Sequence, residues 1–133
     1  VQSEYLIPRA HAHEAIDVVR TLGDLIRPVL QVSEIRTVRA DTFWMSPQYG
    51  TDTVGIHFTW RSDERAVRAA LSPLEGALAP LGARPHWGKL FLVGADRIAE
   101  LYERRNEFVS LIERLDPRGT FRNAWFERHV AGG

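Results

Sequence analysis

The sequence predicts an α+β domain, an antiparallel sheet with helices packed on one face. Three observations lead there. Residues 53–61, "TVGIHFTWR", alternate with the period of a strand: Val54, Ile56, Phe58 and Trp60 on one side, Thr53, His57 and Thr59 on the other. Residues 11–28 and 62–82 repeat apolar side chains at three to four positions, the spacing of a helix with one buried stripe. Residues 29–39, "VLQVSEIRTVR", are rich in β-branched residues and suit a strand.

The elements follow in chain order. Residues 3–8, "SEYLIP", read as a short strand closed by Pro8. The helix over 11–28 buries Ile16, Val19, Leu22 and Ile26, and Pro28 follows it. The strand over 29–39 leads into "SPQYGTD", a turn-rich connector, and then into the strand at 53–61. Ser62 is placed to cap the next helix, with Asp63 and Glu64 in a first turn that favours negative charge. Its stripe is Val67, Ala70, Leu71, Leu74, Leu78 and Leu81; Pro73 is expected to kink or split it, and Gly82 to end it. A strand is expected at 84–93. A long helix is expected at 95–115, with Ile98, Leu101, Tyr102, Phe108, Leu111, Ile112 and Leu115 inward and "DPRG" as its stop. The order is strand, helix, strand, strand, helix, strand, helix, which is ferredoxin-like.

Bulk properties narrow the function. At 133 residues the chain makes one domain with a real core, and its 44% hydrophobic and 26% charged content is that of a globular protein. A net charge of zero argues against nucleic acid as a partner, since phosphate neutralisation needs excess basic charge. No apolar run approaches the roughly 20 residues a membrane-spanning helix requires. Without cysteine there is no disulfide and no thiolate metal site. The expected compartment is the cytoplasm. The opening "VQSEYLIPR" starts directly in strand-like sequence and reads as a piece of something longer.

Polar side chains converge on the strands. Residues two apart share a strand face, so Glu34 pairs with Arg36 and His57 with Thr59. If the two strands are antiparallel neighbours, all four lie opposite the helices. Leu30, Val32 and Val38 share parity with Glu34 and Arg36, which calls for a bulge or for an apolar pocket with a polar centre. Read blandly, "EIR" is an ion pair and "HFT" a half-exposed strand. His11 and His13 have no acidic or cysteine partner that would make a metal site. One basic residue stands apart. Of 17 lysines and arginines only Lys89 is lysine, beside His86, Trp87 and Gly88. It is either a surface remnant or an ammonium required at one point.

Five stretches together resemble a known family: "SEYLIPR", "EIRTVRADTFWMSPQYG", "VGIHFTW", "ARPHWGKLF" and "LDPRGTFRNAW". They are similar to the C-terminal, substrate-binding part of the flavin-dependent alditol and aldonolactone oxidases, within the vanillyl-alcohol-oxidase-like flavoproteins. The resemblance runs from about Ser3 to Trp125. "HWGK" and "DPRGTFRNAW" are the shared signature, and "SPQYGTDTVGIHFTW" is nearer to bacterial alditol oxidases.

The resemblance implies a single substrate-binding domain over 1–133, the cap domain of a flavin oxidase, whose FAD is bound mainly by an N-terminal domain absent from this chain. It implies oxidation of a sugar alcohol to an aldose, with electrons passed to O2 to give H2O2. Glu34, Arg36, His57, Thr59 and Lys89 would bind substrate, and Arg36, Lys89 and His57 would act in catalysis. His86, Lys89 and Asn123 would touch the cofactor. No histidine matches a flavin attachment site and no glycine-rich flavin anchor is present, so the chain alone is expected to be inactive. One alternative is an aldonolactone oxidase of the D-arabinono-1,4-lactone type, with the same residues reading a lactone. Another is a non-catalytic ferredoxin-like binding or dimerisation module. An apolar surface around Trp87, Phe121 and Trp125 is expected to meet the FAD domain, or to drive self-association when left open.

Overall fold

The strand with the cleanest alternation sits inside the sheet. In the computed structural model, which describes residues 1–132, β1 (Gln2–Pro8), β2 (Leu30–Val38), β3 (Thr53–Trp60) and β4 (Arg84–Pro85) form one sheet in the order β2-β3-β1-β4. Every pairing is antiparallel. Between strands the chain adds α1 (Ala12–Thr21), α2 (Gly23–Ile26), α3 (Glu64–Leu78), α4 (Ala95–Leu101), α5 (Arg105–Leu115) and the short α6 (Ala124–Phe126). The α+β class read from the sequence is the observed one.

One side of the sheet is the core. Tyr5, Ile7, Val54, Ile56, Phe58 and Trp60 point into it and meet Val67, Ala70, Leu71, Leu74 and Leu78 of α3, with Ala15 and Ile26 from the first helices. Phe58 and Trp60 stack with ring centroids 5.0 Å apart. Polar fasteners cross this layer. The Trp60 indole N–H donates to Ser3 Oγ at 3.0 Å, and Ser3 donates to the Leu90 carbonyl at 2.7 Å. The Tyr5 hydroxyl and the Leu92 N–H both donate to Glu75 Oε1. Burial pushes the Glu75 carboxyl up, with these two donors pulling the other way.

A bulge, one of the two explanations for the parity of 29–39, is present and accounts for Leu30. Leu30 faces Trp60 and Val32 faces Thr59, so Gln31 is the extra residue. The slip turns Leu30 to the core side while Glu34 and Arg36 keep the other. β2 is an edge strand, and Val32 and Ile35 stay exposed.

Other expectations change. The helix over 11–28 breaks at Leu22 into α1 and α2. Asp63, not Ser62, caps α3: its side chain accepts from the Ala66 N–H. Asp63→Ala should therefore lower stability by about 1 kcal/mol, and Ser62→Ala should not, in urea titrations of the two variants. Pro73 does not split α3, which runs through it. Pro73 and Ala69, whose carbonyl loses the helical N–H, are both exposed, so water can serve that carbonyl. Gly82 does end this segment, at φ 70°.

The helix expected over 95–115 is two helices. Tyr102 is extended (φ −118°, ψ 91°) and buries its ring 4.9 Å from Trp87, which a continuous helix would not allow. Leu115, expected inward, is exposed. Trp87 also meets Phe91 and Trp125 edge-on, and Phe121 is 88% exposed. At the C-terminal side, buried Arg105 donates to the carbonyls of Val130 and Ala131. The "DPRG" stop forms as expected: Asp116 accepts from the Thr120 and Phe121 N–H groups, and Gly119 takes φ 67°.

Candidate functional site

Directly opposed residues of an antiparallel ladder share a face. On the side away from the core, β1, β3 and β2 align Glu4, His57 and Glu34 in one row and Leu6, Gly55 and Arg36 in the next. Thr59 lies one row further, between Gln2 and Val32. The strand parities thus bring Glu34, Arg36, His57 and Thr59 to one face.

Lys89 reaches it by a different route. The strand expected over 84–93 pairs regularly at Arg84 and Pro85 only. His86 N–H still bonds the Glu4 carbonyl, but the next bond, to the Gln2 carbonyl, comes from Leu90 rather than Gly88. Two extra residues are looped out. The loop closes as a turn through Lys89 N–H to the His86 carbonyl at 3.1 Å. Trp87 anchors it from outside, donating its indole N–H to the Met45 carbonyl at 2.7 Å. The turn sets Lys89 over the centre of the sheet.

There the ammonium donates to Glu4 Oε2 at 2.5 Å and to His57 Nδ1 at 2.8 Å. A lysine ammonium only donates, so Nδ1 of His57 accepts and the ring proton sits on Nε2, which donates to Thr59 Oγ1 at 3.1 Å. Nδ1 also lies 3.6 Å from Glu4 Oε2. Arg36 forms an ion pair with Glu34 and brings a second nitrogen within 4.0 Å of Glu4 Oε1. Depth is graded: Glu4 and His57 are 5% and 3% exposed. The Lys89 side chain is 15% exposed, and those of Arg36 and Glu34 are about half exposed.

The electrostatics follow. Burial works to raise the Glu4 carboxyl, but the hydrogen bond and charge of Lys89, with Arg36 and His57 behind them, outweigh it and hold Glu4 below the ordinary carboxylate range. The hydrogen bond from Arg36 does the same for Glu34 at the surface. A carboxyl lowered on folding stabilises the fold above the ordinary carboxylate range and loses that contribution as pH falls through its lowered value. The midpoint of urea unfolding should therefore drop below about pH 5, and Glu4→Gln should flatten that limb.

The remaining candidates lie apart. His86 is exposed, and its Nδ1 accepts from the Gly88 N–H. Asn123 is exposed and caps α6 by accepting from the Phe126 N–H. Contrary to the expectation from sequence, His11 has an acidic partner, Glu14 at 3.5 Å, but this is a local pair at a helix start, and among the described residues no group of three His, Asp or Glu side chains is placed to hold a metal. A cleft of about 430 Å³ between the 42–46 loop and α5 is walled by Phe43, Trp44, Met45, Phe108 and Leu111 and holds no paired ionisable groups. Sequence reasoning missed Glu4. Its strand, "SEYLIPR", carries Leu6 and Pro8 on the same parity, so nothing in the periodicity marks a polar face. The available signal was a carboxylate inside an apolar strand, in a chain with one lysine.

A family model described as D-arabinono-1,4-lactone oxidase matches residues 1–129. The chain belongs to this family. Among curated relatives, it is 46% identical over 99% of its length to an alditol oxidase of a Streptomyces species, covering 32% of that protein. It is 31% identical over 96% of its length to an L-gulono-1,4-lactone dehydrogenase of Mycobacterium tuberculosis, covering 30%. It is 33% identical over 71% of its length to an L-gulonolactone oxidase of Scyliorhinus torazame, covering 22%. The chain thus spans about a third or less of the length of the curated relatives it matches. Among the described residues, no helix is long and apolar enough to cross a membrane.

Proposed function

We propose that the chain is the substrate-binding domain of an FAD-dependent oxidase that converts a sugar alcohol to the aldose and passes the electrons to O2, giving H2O2. One observation carries this reading. Lys89 is an ammonium in a buried cluster, with two of its three N–H donors committed to Glu4 and His57 and the third without a partner among the described residues. A free cationic donor in a dry setting is what a developing alkoxide needs. Around it, Arg36 offers donors, Glu34 acceptors and Thr59 a hydroxyl, a set suited to the uncharged hydroxyl ladder of an alditol. The alditol oxidase is also the more similar of the relatives cited, over nearly the whole chain.

Of the three residues assigned to the cofactor, Lys89 fits it through its charge, which would favour the negative charge that builds on a reduced flavin while its one free N–H serves the substrate oxygen. His86 and Asn123 are engaged in local caps. When bound, the flavin supplies the acceptor for the two electrons. The chain's own residues handle the oxygen and its proton. Arg36 and Glu34 orient neighbouring hydroxyls. Lys89 first passes one N–H proton across the 2.8 Å to His57 Nδ1, and the neutral amine, turned so that its freed lone pair meets the substrate, takes the hydroxyl proton and becomes the ammonium that donates to the alkoxide. The ammonium is thereby conserved, and the imidazolium that forms lies 3.6 Å from the Glu4 carboxylate.

An aldonolactone oxidase is the second reading, favoured by the lactone-oxidase family model and the gulonolactone relatives. A screen of the full-length protein with H2O2 detection separates them. Oxidation of alditols with lactones inert supports the proposal, and oxidation of lactones alone selects the second reading. Silence with both classes leaves a binding module.

A further inference from the structure

We infer that Glu4 is the positioning residue of this face: it fixes Lys89 so that the third N–H is presented outward, and its carboxylate, with Leu6, crowds the space that a side chain at Gly55 would take. The inference rests on the reading of Lys89 as the donor to substrate, but its first test does not.

Glu4 stands on the strand that touches both halves of the site. Its Cα opposes His57 across one ladder, and its carbonyl receives the His86 N–H across the other. Its side chain then closes the same circuit, with Oε2 on Lys89 and Oε1 toward Arg36. A lysine stem has four rotatable bonds, and fixing its head requires a partner that is itself held. Glu4 is such a partner, because it is buried and has a cation on each oxygen. Arg36 cannot replace it, being a cation. Glu34 is half exposed and already paired with Arg36. The His57 ring is held from its other side, where Nε2 donates to Thr59 Oγ1, which leaves Nδ1 to Lys89.

Gly55 gives the second, independent observation. It lies between Leu6 and Arg36 in the row beside Glu4. A Cβ built there would stand 3.0 Å from Glu4 Oε1 and 3.1 Å from Leu6 Cδ1. Its φ is not in the left-handed region, so the backbone alone does not demand glycine. The Glu4 carboxylate and the Leu6 methyl together crowd the space a Cβ would take, so a side chain there must displace one of them.

The lone lysine makes the test direct. In the 133-residue chain with ¹³C-labelled lysine, one side-chain signal reports Lys89 without assignment. In the parent we expect two inequivalent Hε resonances and restricted ¹³Cε motion. In Glu4→Gln they should merge into one mobile signal, Glu4→Asp should restore part of the restriction, and Gly55→Ala, which keeps the carboxylate but displaces it, should loosen the signal. If Glu4→Gln unfolds the chain, the double variant Glu4→Gln, Lys89→Met removes both charges and should refold, as removal of a whole buried pair often permits; failure of the double variant to refold would assign Glu4 a purely structural role and overturn the inference. A lysine as restricted in Glu4→Gln as in the parent overturns it too.

The second arm uses the flavin-loaded full-length protein. Gly55→Ala should lower the rate of flavin reduction about tenfold or more with little change in KM, the signature of a donor displaced from the transition state. An unchanged rate in Gly55→Ala, with the lysine signal loosened, refutes the link from positioning to chemistry. A parent that oxidises neither alditol nor lactone refutes the oxidase reading and leaves the first arm standing.

Discussion

Lys89→Met in the full-length protein should slow flavin reduction by about 10²–10³-fold, or roughly 3–4 kcal/mol of transition-state stabilisation. Methionine keeps the length and apolar stem of lysine but brings no donor and no charge. It would leave Glu4 buried without its closest cation and His57 Nδ1 without a donor. Lys89→Arg should fall nearly as far, although the charge is retained. The head of Lys89 occupies a gap defined by Glu4 Oε2 at 2.5 Å and His57 Nδ1 at 2.8 Å, with little exposure. A planar guanidinium is larger than an ammonium and cannot bond both while aiming a third donor outward. The chain uses arginine at every other basic position, so a simple need for charge would have been met by arginine. Stopped-flow bleaching of the flavin separates reduction from reoxidation by O2, which should change less. Reduction within about twofold of the parent for both variants would leave Lys89 a structural partner of Glu4 and His57 and remove the carrying observation for the oxidase.

Trp60→Ala should destabilise the chain by about 3–5 kcal/mol, a large part of the 5–15 kcal/mol that typically separates folded from unfolded domains. Trp60 is among the largest fully buried side chains. Its ring stacks on Phe58 and its N–H donates to Ser3, which in turn holds the Leu90 carbonyl one residue after Lys89. Removing the ring opens a cavity beneath the end of β3 and loosens the anchor downstream of the Lys89 turn. Trp60→Phe keeps a stacking ring but loses the donor, and should cost only about 1 kcal/mol. Urea unfolding followed by circular dichroism would measure both. Equal losses for the two variants would show that the indole hydrogen bond, not cavity formation, dominates.

The candidate face is partly legible in the sequence. The parity of β3 places His57 and Thr59 opposite the core because one side of that strand is wholly apolar, and the fold keeps that division. The mixed parity of β2 leaves a bulge as one of two explanations, and Gln31 supplies it for Leu30, while Val32 and Val38 keep the parity of Glu34 and Arg36. Glu4 is not legible. A strand covered on both sides shows no polar stripe, so only pairing reveals that Glu4 sits across from His57. The long helix over 95–115 also fails for a tertiary reason. Its periodicity is helical throughout, but burying Tyr102 against Trp87 outweighs one uninterrupted helix.

By itself the sequence determined the α+β class, the core face of β3, the turns at Gly82 and Asp116–Gly119, and the oddity of one lysine among 17 basic residues. These are local properties: strand and helix periods, turn chemistry and composition act over a few residues. The tertiary structure alone decided that Lys89 meets Glu4, 85 positions away in the chain. That contact depends on a two-residue loop in the fourth strand, on an anchor from Trp87 to Met45, and on the register between β1 and β3. Register is fixed by which apolar faces bury against each other across distant segments, and no local pattern encodes it.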